Sequence, residues 1–164
     1  MKNNFISEKI FGKQFFSKYY LVILGVILLT ISSKISIPFF PIPMTLQTLV
    51  VYFISSFMGI VGFRAIFIYL LLGILGLPIF SDGGGFEFVF SPKFGFLYGM
   101  LFASLTIFYI LKNGFNNFTK IFMSIFLGFC SMYFIGICHL SYFIGFQKAF
   151  MDNFLPLIYG EFFK

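Results

Sequence analysis

The stretch IFMSIFLGFCSMYFIGICHLSYFIG, Ile121 to Gly145, runs for 25 residues without a charged side chain. As a helix it would reach about 37 Å, more than the roughly 30 Å hydrocarbon core of a bilayer. The rest of the chain has the same character. Of 164 residues, 60% are apolar and 24% aromatic, with 30 Phe, no Trp and only 10% charged. The mean hydropathy is +1.02. A water-soluble domain carries about 25% charged residues to cover its surface, so the composition predicts a chain solvated mostly by lipid.

Charge and Gly/Pro clusters divide the chain into apolar runs at Tyr19 to Ile37, Leu46 to Ile60, Ala65 to Phe80, Gly95 to Leu111 and Ile121 to Gly145, with a last segment beginning near Phe154. The expectation is an all-α integral membrane protein, a compact bundle of about six transmembrane helices with the sixth truncated. Residues 19–164 would form one membrane domain behind a cytoplasmic or interfacial segment, residues 1–18, with Phe5, Ile6, Ile10 and Phe11 on its apolar face. Lys and Arg collect in short cytoplasmic loops. With the N-terminus inside, seven basic residues (Lys2, Lys9, Lys13, Lys18, Arg64, Lys112, Lys120) fall inside and three (Lys34, Lys93, Lys148) outside. The net charge of +6 is thus mostly a topology signal, with no interleaved basic stretch to suggest nucleic acid. The first run ends in Ser32, Ser33 and Lys34 without a small-x-small cleavage site, which argues against a signal peptide.

Little in the sequence suggests catalysis. There is no Ser/His/Asp set and no phosphate-binding loop, since Gly12-Lys13 is followed by Gln14. Cys130 and Cys138 have no metal-ligand spacing and are expected to be buried apolar thiols. The lone His139, near the end of its run, is expected to be packed or at headgroup level. Gly95, Gly99 and Ala103 repeat every four residues and make a smooth face for close helix packing, within the chain or against a partner. Gly25 and Ser33 give the first helix a weaker version and make it a candidate partner surface.

Two outer loops and the C-terminal segment invite a ligand. Pro38, Pro41 and Pro43 stiffen the first loop. Thr45 and Gln47 follow it into the second run, Thr45 with the residue type of a helix cap and Gln47 with no such account. The second loop holds Asp82, then Gly83, Gly84 and Gly85, then Ser91-Pro92-Lys93. Three glycines let backbone amides approach a small molecule, but a solvated turn has the same composition. Glu161 and Lys164 stand three apart on one helical face, as a functional pair or as an interfacial ion pair. On these features alone, a ligand-binding protein and a small membrane scaffold without a ligand both stand.

Ile37-Pro38 through Pro43-Met-Thr45-Leu-Gln47-Thr48 resembles the proline-rich first loop and P-x-T-L-Q-T of the BioY family, the biotin-binding S components of energy-coupling factor (ECF) transporters. Gly73-Ile-Leu-Gly76-Leu-Pro78-Ile-Phe80 resembles that family's G-x-x-G-L-P-V-F. Ser91 to Gly99 resembles G-P-T-G-G-Y-L-x-G, with Lys93 and Phe94 where Thr and Gly are usual, and Pro156 to Lys164 resembles P-F-x-x-G-D-x-x-K, with Glu161 in place of Asp. The resemblance implies a six-helix protein of the bacterial cell membrane that captures biotin from outside. It would work with a transmembrane coupling subunit and two ATPase subunits, without a cofactor of its own. It also implies that Gln47, Asp82, Gly83, Glu161 and Lys164 serve binding and that Pro38, Pro41, Pro43, Thr45 and Lys93 belong to lids; an S component for another small vitamin is a further alternative. The family continues about four turns beyond its terminal Lys, whereas a sixth helix here would be about 11 residues, roughly 16 Å.

Overall fold

The computed structural model describes residues 15–37, 44–112, 117–154, 158, 160 and 161. Most of the expected N-terminal interfacial segment, the lid prolines Pro38, Pro41 and Pro43, and Lys164 lie outside the described residues.

Apolar side chains cannot take up backbone N–H and C=O groups, so the apolar runs satisfy them internally as helices. These are α1 (Phe15–Lys34), α2 (Gln47–Met58), α3 (Ile60–Ile74), α4 (Phe94–Leu111) and α5 (Phe118–Ile144). A short helical turn, α6 (Phe146–Lys148), leads into a π-helical turn, Ala149–Phe154, and the described residues 158, 160 and 161 are helical. Two-residue strands β1 (Ser36–Ile37) and β2 (Met44–Thr45) pair antiparallel, Ser36 opposite Thr45, and bring the first loop's ends together. A 3-10 helix, Phe86–Phe90, lies between α3 and α4.

The helices are apolar on both their inner and outer faces. Leu29, Ile54, Ile66, Ile107 and Met132 are fully buried, while Ile27, Phe53, Phe67, Phe102 and Phe134 are exposed. That is the pattern of a helix with lipid outside and protein inside. Helices α4 and α5 are long and apolar enough to cross a membrane, and α2 and α3 are shorter apolar helices. The antiparallel α4/α5 pair forms the most extensive contact; α1 packs on α2 and α3, and both of those pack on α4.

Small residues set how closely these helices meet. A Cβ on Gly99 would stand 2.9 Å from the Met132 carbonyl oxygen, and one on Gly95 2.5 Å from the His139 Cβ. Ala103, fully buried, faces Gly128. The Gly95, Gly99 and Ala103 stripe is therefore filled by α5. A Cβ on Gly25 would stand 2.7 Å from the Ala65 side chain, and Ser33 is fully buried. The Gly25 and Ser33 face, expected as a surface for a separate partner, is turned into the bundle, Gly25 against α3 and Ser33 against Ile79 beyond it.

Several boundaries differ from the sequence expectation. The second and third runs break at Gly59, whose φ of 57° suits glycine, and Arg64 lies inside α3 with its side chain exposed rather than in a loop. The third run, expected to reach Phe80, stops as helix at Ile74, and the first, expected to reach Ile37, stops at Lys34. Thr45 is not a helix cap: it lies in β2, and Leu46 precedes α2 without a side-chain cap. Cys130 and Cys138 are exposed rather than buried. They share an edge of α5 with exposed Phe134 and Tyr142, opposite the Gly128, Met132, Gly136 and Leu140 ridge that packs inward. His139 is half-buried, its Nε2 3.2 Å from the Ser91 carbonyl oxygen and its ring edge-on to Tyr98.

Candidate functional site

Where the first loop, the 75–93 segment and the C-terminal segment converge, the bundle encloses a cavity. Its empty space is about 580 Å³ counted out to an open mouth. One wall is aromatic. Phe96 and Tyr133 meet edge to face at 5.5 Å, a contact possible because a Cβ on Gly136 would intrude to 2.6 Å from the Phe96 ring. Phe80 and Phe88 meet at 5.3 Å, and Leu97 and Met100 complete the apolar lining.

Phe80 is placed by the chain leaving α3. After Gly76, at φ 105°, the chain turns back, and Phe80 exchanges backbone hydrogen bonds with Gly83. Its ring lies against Gly73, where a Cβ would stand 2.1 Å from Phe80 Cζ, and edge-on to Tyr69 at 5.5 Å. The three glycines that follow make this fold-back possible. Gly83 and Gly85 have positive φ, and a Cβ on Gly84 would fall 2.1 Å from the Leu77 carbonyl oxygen. The Gly85 N–H donates to the Gly73 carbonyl at 2.8 Å. Gly84 and Gly85 thus close the segment onto the end of α3.

The opposite side of the cavity is polar. At the start of α2, Thr48 donates its hydroxyl to Glu161 Oε1 at 2.8 Å. Tyr133 lines the same cavity as Glu161. Gln47 is 3% exposed, and its amide nitrogen has no hydrogen-bond partner among the described residues. A buried donor left this way costs on the order of 1–3 kcal/mol, a cost that a ligand acceptor would relieve. Met44 of β2 packs where a Cβ on Gly160 would stand, 2.1 Å from the Met44 sulfur. The end of the first loop is therefore clasped to the C-terminal segment beside Glu161. At the mouth, Lys93 pairs with Asp82.

Of the residues expected to bind, Gln47 and Glu161 line the cavity, as do Thr45 and Lys93 of the expected lids. Asp82 and Gly83 do not; they form the turn behind Phe80, and Asp82 reaches the cavity only through Lys93. Sequence reasoning did not single out Thr48, Phe80, Phe88, Phe96 or Tyr133. Among 30 Phe and 9 Tyr, no periodicity marks the few aromatics that face inward. Phe80 carried one available signal, standing seven residues after Gly73 at the end of a Gly- and Pro-punctuated segment.

The arrangement is that of an apolar helical bundle holding an open-mouthed cavity with aromatic walls, a carboxylate and amide on one side, and a cation at its mouth. Residues 5–164 match the model of the BioY family, and the chain belongs to that family. It is 32% identical over 146 residues to a probable biotin transporter BioY of Pyrococcus horikoshii, an alignment covering 88% of this chain and 86% of that one. It is 29% identical to a biotin transporter BioY of Thermotoga maritima, with 84% and 82% covered. Its fold matches a crystal structure of the S-component for biotin from an ECF-type ABC transporter, with a TM-score of 0.77, 23% identity, and 88% and 82% of the two chains covered.

Proposed function

We propose that this chain is the substrate-capture component of an ECF-type vitamin importer: it takes up biotin from outside and delivers it with a transmembrane coupling subunit and two ATPase subunits. In this reading it is a multi-pass protein of the bacterial plasma membrane with a cytoplasmic N-terminus, and residues 19–164 are its membrane domain. The observation that carries the reading is the division of the cavity into an aromatic wall and a polar side. Biotin has an apolar bicycle, a ureido group with two donors and one acceptor, and a carboxylate at the end of an alkyl chain. The bicycle suits the Phe80, Phe88, Phe96 and Tyr133 wall. The ureido N–H groups suit the Glu161 carboxylate, and its carbonyl suits the buried Gln47 amide nitrogen.

For the carboxylate there are two cations to weigh. Lys93 lies at the mouth but is already paired with Asp82. Lys164, three residues after Glu161, follows the family's terminal pattern. We assign the carboxylate to Lys164 and a mouth-closing role to the Lys93–Asp82 pair, an exposed bridge of the kind that contributes at most about 1 kcal/mol.

The test is equilibrium binding of labelled biotin to the purified full chain in detergent or nanodiscs, with other vitamins as competitors. Saturable binding displaced by biotin alone is expected. A folded protein that binds no biotin would sink the capture reading in favour of a scaffold, and displacement by another vitamin would reassign the substrate. Lys164→Ala should weaken biotin more than biotinamide, which lacks the negative charge. Equal weakening of both would take Lys164 off the carboxylate.

A further inference from the structure

The segment that carries Phe80 into the cavity is held from behind by side chains of two other elements. The Ser33 hydroxyl at the end of α1 donates to the Ile79 carbonyl oxygen at 2.7 Å, sharing its one proton with the Thr30 carbonyl at 2.8 Å. The Tyr69 hydroxyl of α3 donates to the same Ile79 oxygen at 2.9 Å. The next carbonyl, of Phe80, accepts from Lys34 Nζ and from the Gly83 N–H. Two consecutive carbonyls thus have both acceptor positions filled, three of the four donors being side chains outside the 75–85 segment.

Tyr69 does more than supply one of these donors. It is fully buried, and its ring is edge-on to Phe80. One side chain therefore touches both the backbone that orients the aromatic wall and the ring of that wall. It does not itself line the cavity.

We propose that Tyr69 is a positioning residue for ligand capture, fixing Phe80 as a cavity wall through its bond to Ile79. This rests on the biotin reading above for its ligand, though not for its geometry. The hydroxyl is the part that matters, because Phe at position 69 would keep the ring contact and leave the Ile79 carbonyl with Ser33 alone, a donor whose proton is shared with Thr30.

The test uses the full chain with 4-fluorophenylalanine introduced at position 80, read by 19F NMR without ligand, and biotin binding measured on the unlabelled protein. Tyr69→Phe should shift or broaden the fluorine resonance and weaken biotin about 5- to 10-fold, the scale of one lost hydrogen bond. In a Phe80→Leu background, the same Tyr69→Phe change should cause no further loss of affinity, because the wall it positions is gone. A general structural role would persist in that background. An unchanged fluorine line overturns the proposal whether or not biotin binds. A moved line with undiminished affinity overturns the role in capture, as does a Tyr69→Phe loss that is equally large in the Phe80→Leu background. If the parent protein binds no biotin, the capture reading fails, and the fluorine line still judges the geometry.

Discussion

Glu161→Gln is expected to weaken biotin about 100-fold while the protein remains folded. Gln is nearly isosteric, and its amide oxygen can still accept the Thr48 hydroxyl, so the 2.8 Å contact that ties α2 to the C-terminal segment has a substitute. The charge is what disappears. Hydrogen bonds to an ionised carboxylate contribute about 1.5–3 kcal/mol each, against about 1 kcal/mol for a neutral pair. If two ureido N–H groups donate to Glu161, neutralising it removes on the order of 2–3 kcal/mol, about two decades of affinity. Glu161→Asp keeps the charge, shortens the reach by one methylene and is expected to cost less than Gln. Calorimetric titration gives the affinities, and circular-dichroism melting in the same detergent checks the fold. Unchanged biotin affinity in Glu161→Gln would remove Glu161 from the site, and a collapse of the melting transition would assign it to structure instead.

What the sequence made legible here, and what it did not, follows from the solvent it implies. The long uncharged runs gave the helices, because an apolar segment of that length has one economical way to satisfy its backbone. The Gly95, Gly99 and Ala103 stripe gave a packing face, which α5 fills, because small residues repeat where backbones approach. Charge misplaced the α2/α3 junction at Arg64, since the break is set by a backbone angle only Gly59 adopts cheaply, and Arg64 projects from α3. Burial was the least readable quantity. In water an apolar residue marks the inside, but here Ile66 and its neighbour Phe67 are equally apolar, one fully buried and the other exposed. The exposed cysteines and the unforeseen aromatic wall are the same failure. The polar residues that line the cavity were easier to pick out, because Gln47 and Glu161 are out of place in such a chain and their cost needs a reason.

Gly73→Ala is expected to be nearly as damaging to binding as Glu161→Gln, by a steric route. By helix propensity alone the change would stabilise α3 by about 1 kcal/mol, since Gly is the worse helix former. At this position a Cβ would stand 2.1, 2.4 and 2.6 Å from three atoms of the Phe80 ring, and contacts that short force something to move. The ring has little freedom to yield: Tyr69 and Phe88 flank it, and its backbone accepts bonds from Lys34 and Gly83. Forcing a methyl into such packing costs roughly 1–3 kcal/mol, so overpacking outweighs propensity. Because Phe80 lines the cavity, the displaced ring alters the space the bicycle would occupy. The expected result is a lower melting temperature together with a 10- to 100-fold loss of biotin affinity. The same Gly73→Ala change in a Phe80→Leu protein should be close to neutral, because the smaller side chain vacates the contested volume. Equal damage in both backgrounds would place the strain along the α3 backbone and dissociate Gly73 from the cavity wall.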